Sequence, residues 1–339
     1  MALIVARSPH EWAARFGATA PQTVVTIGNF DGMHLGHQKI LRGVVERART
    51  TGSLATAVTF DPHPLKVLRP DEAPPLIATL DQRLAALEEM GLEAALVLHF
   101  DLVLSRVSPE NFVRQILVDT LRVRAVLVGE NFRFGHRQAG DAKRLGELGR
   151  QLRFAVEAIP PVVLRGTVVS STAIRRAVQE GRVCLAGRWL GRPFSVSGTI
   201  RPGTGQGRRL VVPTLNLDTQ QELLPKTGVY VTETRVAGKL FRSATNVGFR
   251  PTFDGRRLTI ESHVFDFSED LTAGPMEVRF WAGLRDEKKF VNADALREQV
   301  LRDLSRAREF FRRLESYSRF SAGSVRSSAG RMSGPSDLT

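Results

Sequence analysis

The sequence predicts an α/β domain followed by a β domain: a parallel sheet wrapped by helices, then a small antiparallel β-barrel closed by one long helix. Three observations predict it. Short apolar runs alternate with helically periodic segments from Thr23 to about Arg182, the rhythm of βα units on a parallel sheet. After Gly187 the runs become shorter and β-rich, punctuated by turn pairs such as Pro202-Gly203 and Asp254-Gly255, as in small barrels. One amphipathic stretch, Asp294 to Glu315, then closes the pattern. At 339 residues the chain is long enough for two domains.

The strands expected in the first half are Val24–Ile27, Leu54–Phe60, Ala94–Phe100, Ala125–Gly129 and Phe154–Ile159. Between and after them, helices are expected at Leu35–Thr50, Asp81–Met90, Pro109–Leu121, Asp141–Gln151 and Thr172–Glu180. Ser108 followed by Pro109 is a strong helix start, because proline is pre-shaped for the first helical position and needs no N–H there. The barrel strands are Phe194–Ile200, Leu215–Leu217, Val229–Arg235, Phe241–Val247, Thr259–Phe265 and Met276–Trp281. The domains are expected at 1–186 and 187–316, with Gly187–Pro193 as a short link. The Ser/Gly-rich segment 317–339 reads as a disordered tail.

Composition narrows the function. The net charge of +13 fits a binder of anions, either nucleic acid or small polyphosphates. Its distribution argues against nucleic acid: Asp294–Glu315 mixes six arginines with five acids, the texture of a solvated helix face. No apolar run approaches the ~20 residues of a membrane span. The opening Ala2–Ala6 is broken by Arg7 and Pro9, too short for a secretory signal. The single cysteine, Cys184, excludes an internal disulfide, reads as a small core residue and fits a reducing cytoplasm.

Four clusters sit at strand ends, where ligands bind on parallel sheets. The first is Gly28-Asn29-Phe30-Asp31-Gly32-Met33-His34-Leu35-Gly36-His37. Its histidines are spaced to share a helix face, its glycines let backbone approach a ligand, and the helix start favours an anion. Zinc on His34 and His37 is a competing use, without a placed third ligand. The others are Phe60-Asp61-Pro62-His63-Pro64, Gly129 to Gly135 with Asn131 and Phe132, and Ser170-Ser171-Thr172-Ala173-Ile174-Arg175. Ser171-Thr172 reads as a helix cap, with Arg175 one turn inside to bond a phosphate. In the second half, Gly203-Thr204-Gly205-Gln206-Gly207-Arg208 is either a flexible hairpin or a phosphate-wrapping loop.

These ordered motifs resemble the bacterial bifunctional riboflavin kinase/FMN adenylyltransferase family, and the resemblance runs from about Thr23 to Leu314. It implies that the first half is a Rossmann-like nucleotidyltransferase domain that moves AMP from ATP onto FMN, releasing pyrophosphate. By that resemblance His34, His37 and Arg175 contact phosphates, and Ser171 and Thr172 hold the nucleotide. Gly28, Phe30, Asp31, Gly36 and Asn131 then line the ATP and flavin cleft, with Phe60 and Phe132 as ring neighbours. Pro213-Thr214-Leu215-Asn216 resembles the metal-holding motif of riboflavin kinases, which makes Thr214 and Asn216 the oxygen ligands.

The implied kinase base is Glu261, which composition alone would read as an outward residue on an alternating strand. Gly203, Gly205 and Arg208 are then nucleotide contacts, with Lys226 a further phosphate contact. Mg²⁺ accompanies ATP, because it bridges substrate phosphates while keeping waters. Riboflavin, FMN, FAD and ATP are the expected partners, with no membrane and no nucleic acid, and an oligomer is left open. Val211-Val212 and Thr272-Ala273 depart from the family pattern. Two alternatives stand beside this reading: an adenylyltransferase with an impaired kinase half, and a non-catalytic basic regulator on the same fold.

Overall fold

The computed structural model describes residues 2–17, 20–202, 213–252, 255–269 and 271–328. They form two compact units. One is Met1–Ala177 joined by Arg188–Arg192 and Gln221–Leu223; the other is Val178–Gly187, Pro193–Gln220 and Leu224–Thr339.

The first unit is built on six strands: β1 Ile4–Ala6, β2 Thr23–Ile27, β3 Leu54–Asp61, β4 Ala94–His99, β5 Val123–Gly129 and β6 Ala155–Ile159. They pair in parallel in the order β1-β4-β3-β2-β5-β6. Alternate residues point to opposite faces of a strand, and here both faces are covered. On one face Val24, Ala57, Ala95 and Leu127 pack with Leu41, Val44 and Leu87 of the helices Leu35–Thr51 and Leu80–Glu89. On the other, Val25, Val58, Leu96 and Val126 pack with Phe112, Leu117 and Leu145. The order changes direction between β2 and β5, and that switch point is where open sheets leave a crevice for ligands.

Four features of this unit and of the link after it differ from expectation. Ile4–Ala6 is an edge strand beside β4, a pairing that three residues cannot announce alone. The expected helix from Pro109 begins as Pro109–Phe112 and continues as a π-helix over Val113–Thr120. The link region carries a helix, Val183–Leu190, ending just before Gly191. Cys184 is exposed rather than in the core, because it lies on the solvent side of that helix while Val183, Ala186 and Leu190 are buried.

The second unit is a closed antiparallel barrel of β7 Phe194–Arg201, β8 Leu215–Asp218, β9 Gly228–Val236, β10 Lys239–Thr252, β11 Gly255–Val264 and β12 Pro275–Asp286, in the order β7-β8-β11-β10-β9-β12. Its interior is partly apolar and partly hydroxylic. Phe194 pairs across from Phe280, and Thr232 faces Phe280 from the neighbouring strand. Thr234, Ser243, Thr232, Thr245 and Ser262, all fully buried, hydrogen-bond in series at 2.7–2.8 Å. Each of the three inner hydroxyls, Ser243, Thr232 and Thr245, makes two of these bonds, because a hydroxyl can donate one and accept another.

A helix over Ala293–Ser328 packs Ala307 and Phe311 onto Val231 and Ala244 outside the barrel. Buried Asp303 on that helix takes a 2.8 Å bond from Arg285. The helix continues into the segment expected to be a disordered tail, as far as Ser328. Propagating an established helix needs one residue fixed per bond gained.

Candidate functional site

The first candidate site forms where β2 turns into the helix Leu35–Thr51. Phe30, Gly32 and Met33 all take positive φ in this turn, a strained path of the kind found at functional sites. His34 is the N-cap: its Nδ1 accepts from the His37 N–H at 3.3 Å. The proton of the neutral ring therefore lies on Nε2, which is left to donate. The His34 and His37 rings stack, with centroids 3.7 Å apart and planes at 16°. This explains Gly36: a Cβ there would come within 3.0 Å of the His34 ring.

Burial pulls the His34 pKa down to about 4, helped by the charge of Arg175. His37 is held well below its ordinary value by burial and then by His34. Both rings are thus neutral at pH 7. His37 Nδ1 is buried without a hydrogen-bond partner among the described residues, a demand that a ligand or water meets. Leu35 and Gly36, in the first turn, carry N–H groups with no helical acceptor.

Asp31 organises the turn from below. It is 2% exposed. Its carboxylate accepts from the N–H groups of Ile77 and Ala78 at 2.9 and 3.0 Å and pairs with Arg175. Arg175 Nε also donates to the Pro75 carbonyl at 2.8 Å, and Ser171 Oγ donates to the Asp31 carbonyl at 2.9 Å. The Asp31 carboxylate is therefore engaged inside the protein. Phe30 is likewise turned inward: it is 2% exposed, packs in the core and sets its edge against His37 at 5.4 Å. Gly28 lies against the Phe30 ring, 3.2 Å from where a Cβ would stand.

Ser170, rather than Ser171 or Thr172, caps the helix Ser171–Gln179, its Oγ accepting from Ala173 N–H at 3.3 Å. The backbone turns into the helix one residue earlier than the Ser-Thr pair implied, which frees Ser171 to bond Asp31. Thr172 and Asn131 are exposed. Phe132 stacks on buried Phe134 at 5.4 Å.

The sequence pattern does not single out Arg83, yet it holds the turn. At 3% exposure it donates to the carbonyls of Asn29 and Phe60 and to Thr59 Oγ1, all at 3.1–3.2 Å. A cation in the buried stripe of Leu80–Glu89 is the signal that could have revealed it, since arginine is almost never fully buried unpaired.

The second candidate site is a matter of strand register. Asn216 of β8 and Asn246 of β10 both lie opposite Glu261 of β11, so the three side chains share one face. That face is the outer one, because the flanking Ile260 and Ser262 are buried. Thr214, two residues before Asn216, shares its parity. His263 Nδ1 donates to the Pro213 carbonyl at 2.8 Å and fixes the approach to Thr214. Thr259 Oγ1 lies 3.3 Å from Glu261 Oε1. Gly248 leaves room between Asn246 Nδ2 and Glu287 Oε1, 3.1 and 3.2 Å from where its Cβ would stand. Gly203, Gly205, Arg208, Val211 and Val212 lie outside the described residues.

Among the described residues no group of three His, Cys, Asp or Glu could hold a metal, so zinc on His34 and His37 gains no support. Thr214 and Asn216 offer neutral oxygens, which fit a hard divalent ion that takes its remaining ligands from phosphate and water.

Family models described as FAD synthetase and riboflavin kinase match residues 17–173 and 190–311. The chain is 36% identical over 295 residues to the bifunctional riboflavin kinase/FMN adenylyltransferase of Escherichia coli K12, covering 86% of this chain and 94% of that one. It is 38% identical to the protein of the same description from Pseudomonas fluorescens, covering 84% and 92%. A crystal structure described as a macrolide-efflux protein from Streptococcus pneumoniae superposes with a TM-score of 0.81 at 28% identity, covering 91% of this chain and 99% of that one. Among the described residues no helix is long and apolar enough to cross a membrane.

Proposed function

The chain belongs to the bifunctional riboflavin kinase/FMN adenylyltransferase family, and on that premise we propose which residues carry each of its two reactions. It phosphorylates riboflavin to FMN with ATP, and it adenylylates FMN to FAD with release of pyrophosphate. Both reactions use ATP with a divalent metal.

We assign adenylyl transfer to the first unit and phosphorylation to the barrel, with domain limits near 1–186 and 187–316. In adenylyl transfer an FMN phosphate oxygen attacks the ATP α-phosphorus as the bond to the β-phosphate oxygen breaks. That oxygen is already ionised at neutral pH, so alignment and charge stabilisation supply the rate. His34 donates through Nε2–H, and His37 meets the phosphates beside it. Arg175, whose Nε and one Nη are held by Pro75 and Asp31, offers its other Nη to a phosphate oxygen. Ser171 and Thr172 open the helix at the nucleotide, and Asn131 stands exposed at the end of β5 for the flavin or adenine. Gly28, Gly36, Phe30 and Asp31 shape the turn.

Phosphorylation starts from a neutral 5′-hydroxyl, which needs a base. Glu261 takes that proton as the oxygen attacks the γ-phosphorus and ADP leaves. Thr214 and Asn216 are the residues that would hold the metal, and Mg²⁺ is the ion we assign, supplying charge to the phosphates when bound. Gly203, Gly205 and Arg208 are assigned to the same nucleotide from sequence. An ATP-rich, reducing cytoplasm is the compartment we propose.

The observation that best supports this assignment is convergence: Ser171 and Arg175 bond Asp31 across 140 and 144 residues of sequence. The test is a time course with riboflavin, ATP and Mg²⁺, separating the flavins by chromatography. FMN should rise and then give way to FAD. Accumulation of FMN alone, or no turnover of either flavin, contradicts the assignment.

A further inference from the structure

We propose that Gln221, Glu222 and Leu223 are positioning residues of the adenylyl-transfer site, acting on Arg175 through the loop Pro75–Ala78. The proposal rests on the reading of Arg175 as a phosphate contact. These three residues fall inside the segment matched as riboflavin kinase, between strands β8 and β9, yet they belong to the first compact unit.

Backbone hydrogen bonds hold this loop from two sides. The loop Pro75–Ala78 has no regular secondary structure, and Ile77 and Ala78 are 4% and 8% exposed. Buried N–H and C=O groups must find partners, and two sets of residues supply them. Asp31 takes the N–H of Ile77 and Ala78, while Arg175 takes the Pro75 carbonyl. From the other side, Glu222 Oε2 accepts from Leu76 N–H at 3.0 Å, and Leu223 N–H donates to the Leu76 carbonyl at 3.2 Å. Gln221 Nε2 donates to the Ile77 carbonyl at 3.0 Å. The loop is a peptide clamped between 221–223 and the Asp31–Arg175 pair.

The clamp is itself held. Gln221, 5% exposed, accepts from Gln82 at 3.1 Å, and Gln82 belongs to the capping box that starts the helix Leu80–Glu89. Leu223 is 1% exposed. Glu222 pairs with Lys66; burial pushes its pKa up, but the bonds from Lys66 and Leu76 outweigh this and hold the carboxyl below its ordinary value. If 221–223 lets go, the carbonyl that fixes Arg175 Nε and the amides that fix Asp31 lose their backing.

The experiment uses the full-length chain with Gln221→Ala and Glu222→Ala combined. FAD formation from FMN and FMN formation from riboflavin are measured on the same preparation. The expected result is a fall of about tenfold or more in kcat for FAD, since small misplacement of a catalytic group is costly. KM should stay within about threefold and FMN formation should be unchanged. In an Arg175→Ala background the double substitution should cost little more, because residues acting through one another are not additive. Glu222→Gln alone should stay near wild type, its amide oxygen still accepting from Leu76.

An unchanged kcat for FAD beside a dead Arg175→Ala variant overturns the proposal. So does a parallel loss of both activities, or a full multiplicative effect in the Arg175→Ala background. Arg175→Ala with normal FAD formation would instead remove the phosphate reading, and the proposal with it.

Discussion

The two candidate sites are built by opposite means. In the first unit, a strained turn and two helix starts are packed together by buried polar groups: Asp31, His34, His63 and Arg83 are each under 10% exposed. In the barrel, Asn216, Glu261 and Asn246 stand in one row because neighbouring strands place them opposite each other, on a face that stays partly open. The chemistry matches this difference. An anionic nucleophile needs fixed donors in a dry setting, where electrostatic interactions are strong. A neutral hydroxyl needs one carboxylate that can accept a proton.

The contrast is tested most severely by the two chemical steps. Glu261→Gln should lower FMN formation by about 10²- to 10⁴-fold while supplied FMN is still converted to FAD. His37→Ala should do the reverse, lowering FAD formation by about 10²- to 10³-fold. Steady-state rates on both flavins check this; a variant that stops both reactions while folded would erase the division.

Stability comes next. Arg83→Ala strands the acceptors of Asn29, Thr59 and Phe60 in the interior and should cost about 3–5 kcal/mol, the scale for breaking a buried charged contact. Urea unfolding would measure it. No comparable single arginine ties the second site together among the described residues.

The pH response should also separate the sites. Between about pH 4 and 6.5 His34 binds more protons in the unfolded chain than in the folded one, and His37 shifts in the same direction. Stability is therefore complete above that window and lost as pH falls through it, by about 3 kcal/mol for His34 at 1.36 kcal/mol per pH unit. A histidine NMR titration that places His34 near 6.5 in the free protein would contradict this. With ATP added, its midpoint should move up, because phosphate charge favours imidazolium.

The smallest effect is expected from Gly36→Ala. The new methyl would turn the His34 ring off its cap, costing about 1 kcal/mol and roughly tenfold in FAD formation, with FMN formation untouched.

Much of this was legible without coordinates. The sheet strands and the barrel strands follow from apolar period and turn residues, since alternation decides which side of a strand is buried. The clusters at strand ends were legible too, because parallel strands deliver their loops to one edge. Less was legible about what each residue does there. The Asp31 of the motif and the Phe30 beside it look alike as ligand-facing residues in sequence, and both turn inward to support their neighbours. An isolated cysteine such as Cys184 reads as core in sequence, and only the turn of its helix exposes it.

The sequence by itself determined the two fold types, the order of the motifs and the residue types available at each site. These depend on local period, turn chemistry and short spacings, all of which lie within a few residues of one another. Tertiary structure alone decided that Arg175 would be held by Asp31 and Pro75, that Arg83 would lock the turn, and that Gln221–Leu223 would join the first unit. Those contacts come from burying polar groups across long stretches of chain, where partners are chosen by which donors and acceptors are left unsatisfied after the sheets have packed.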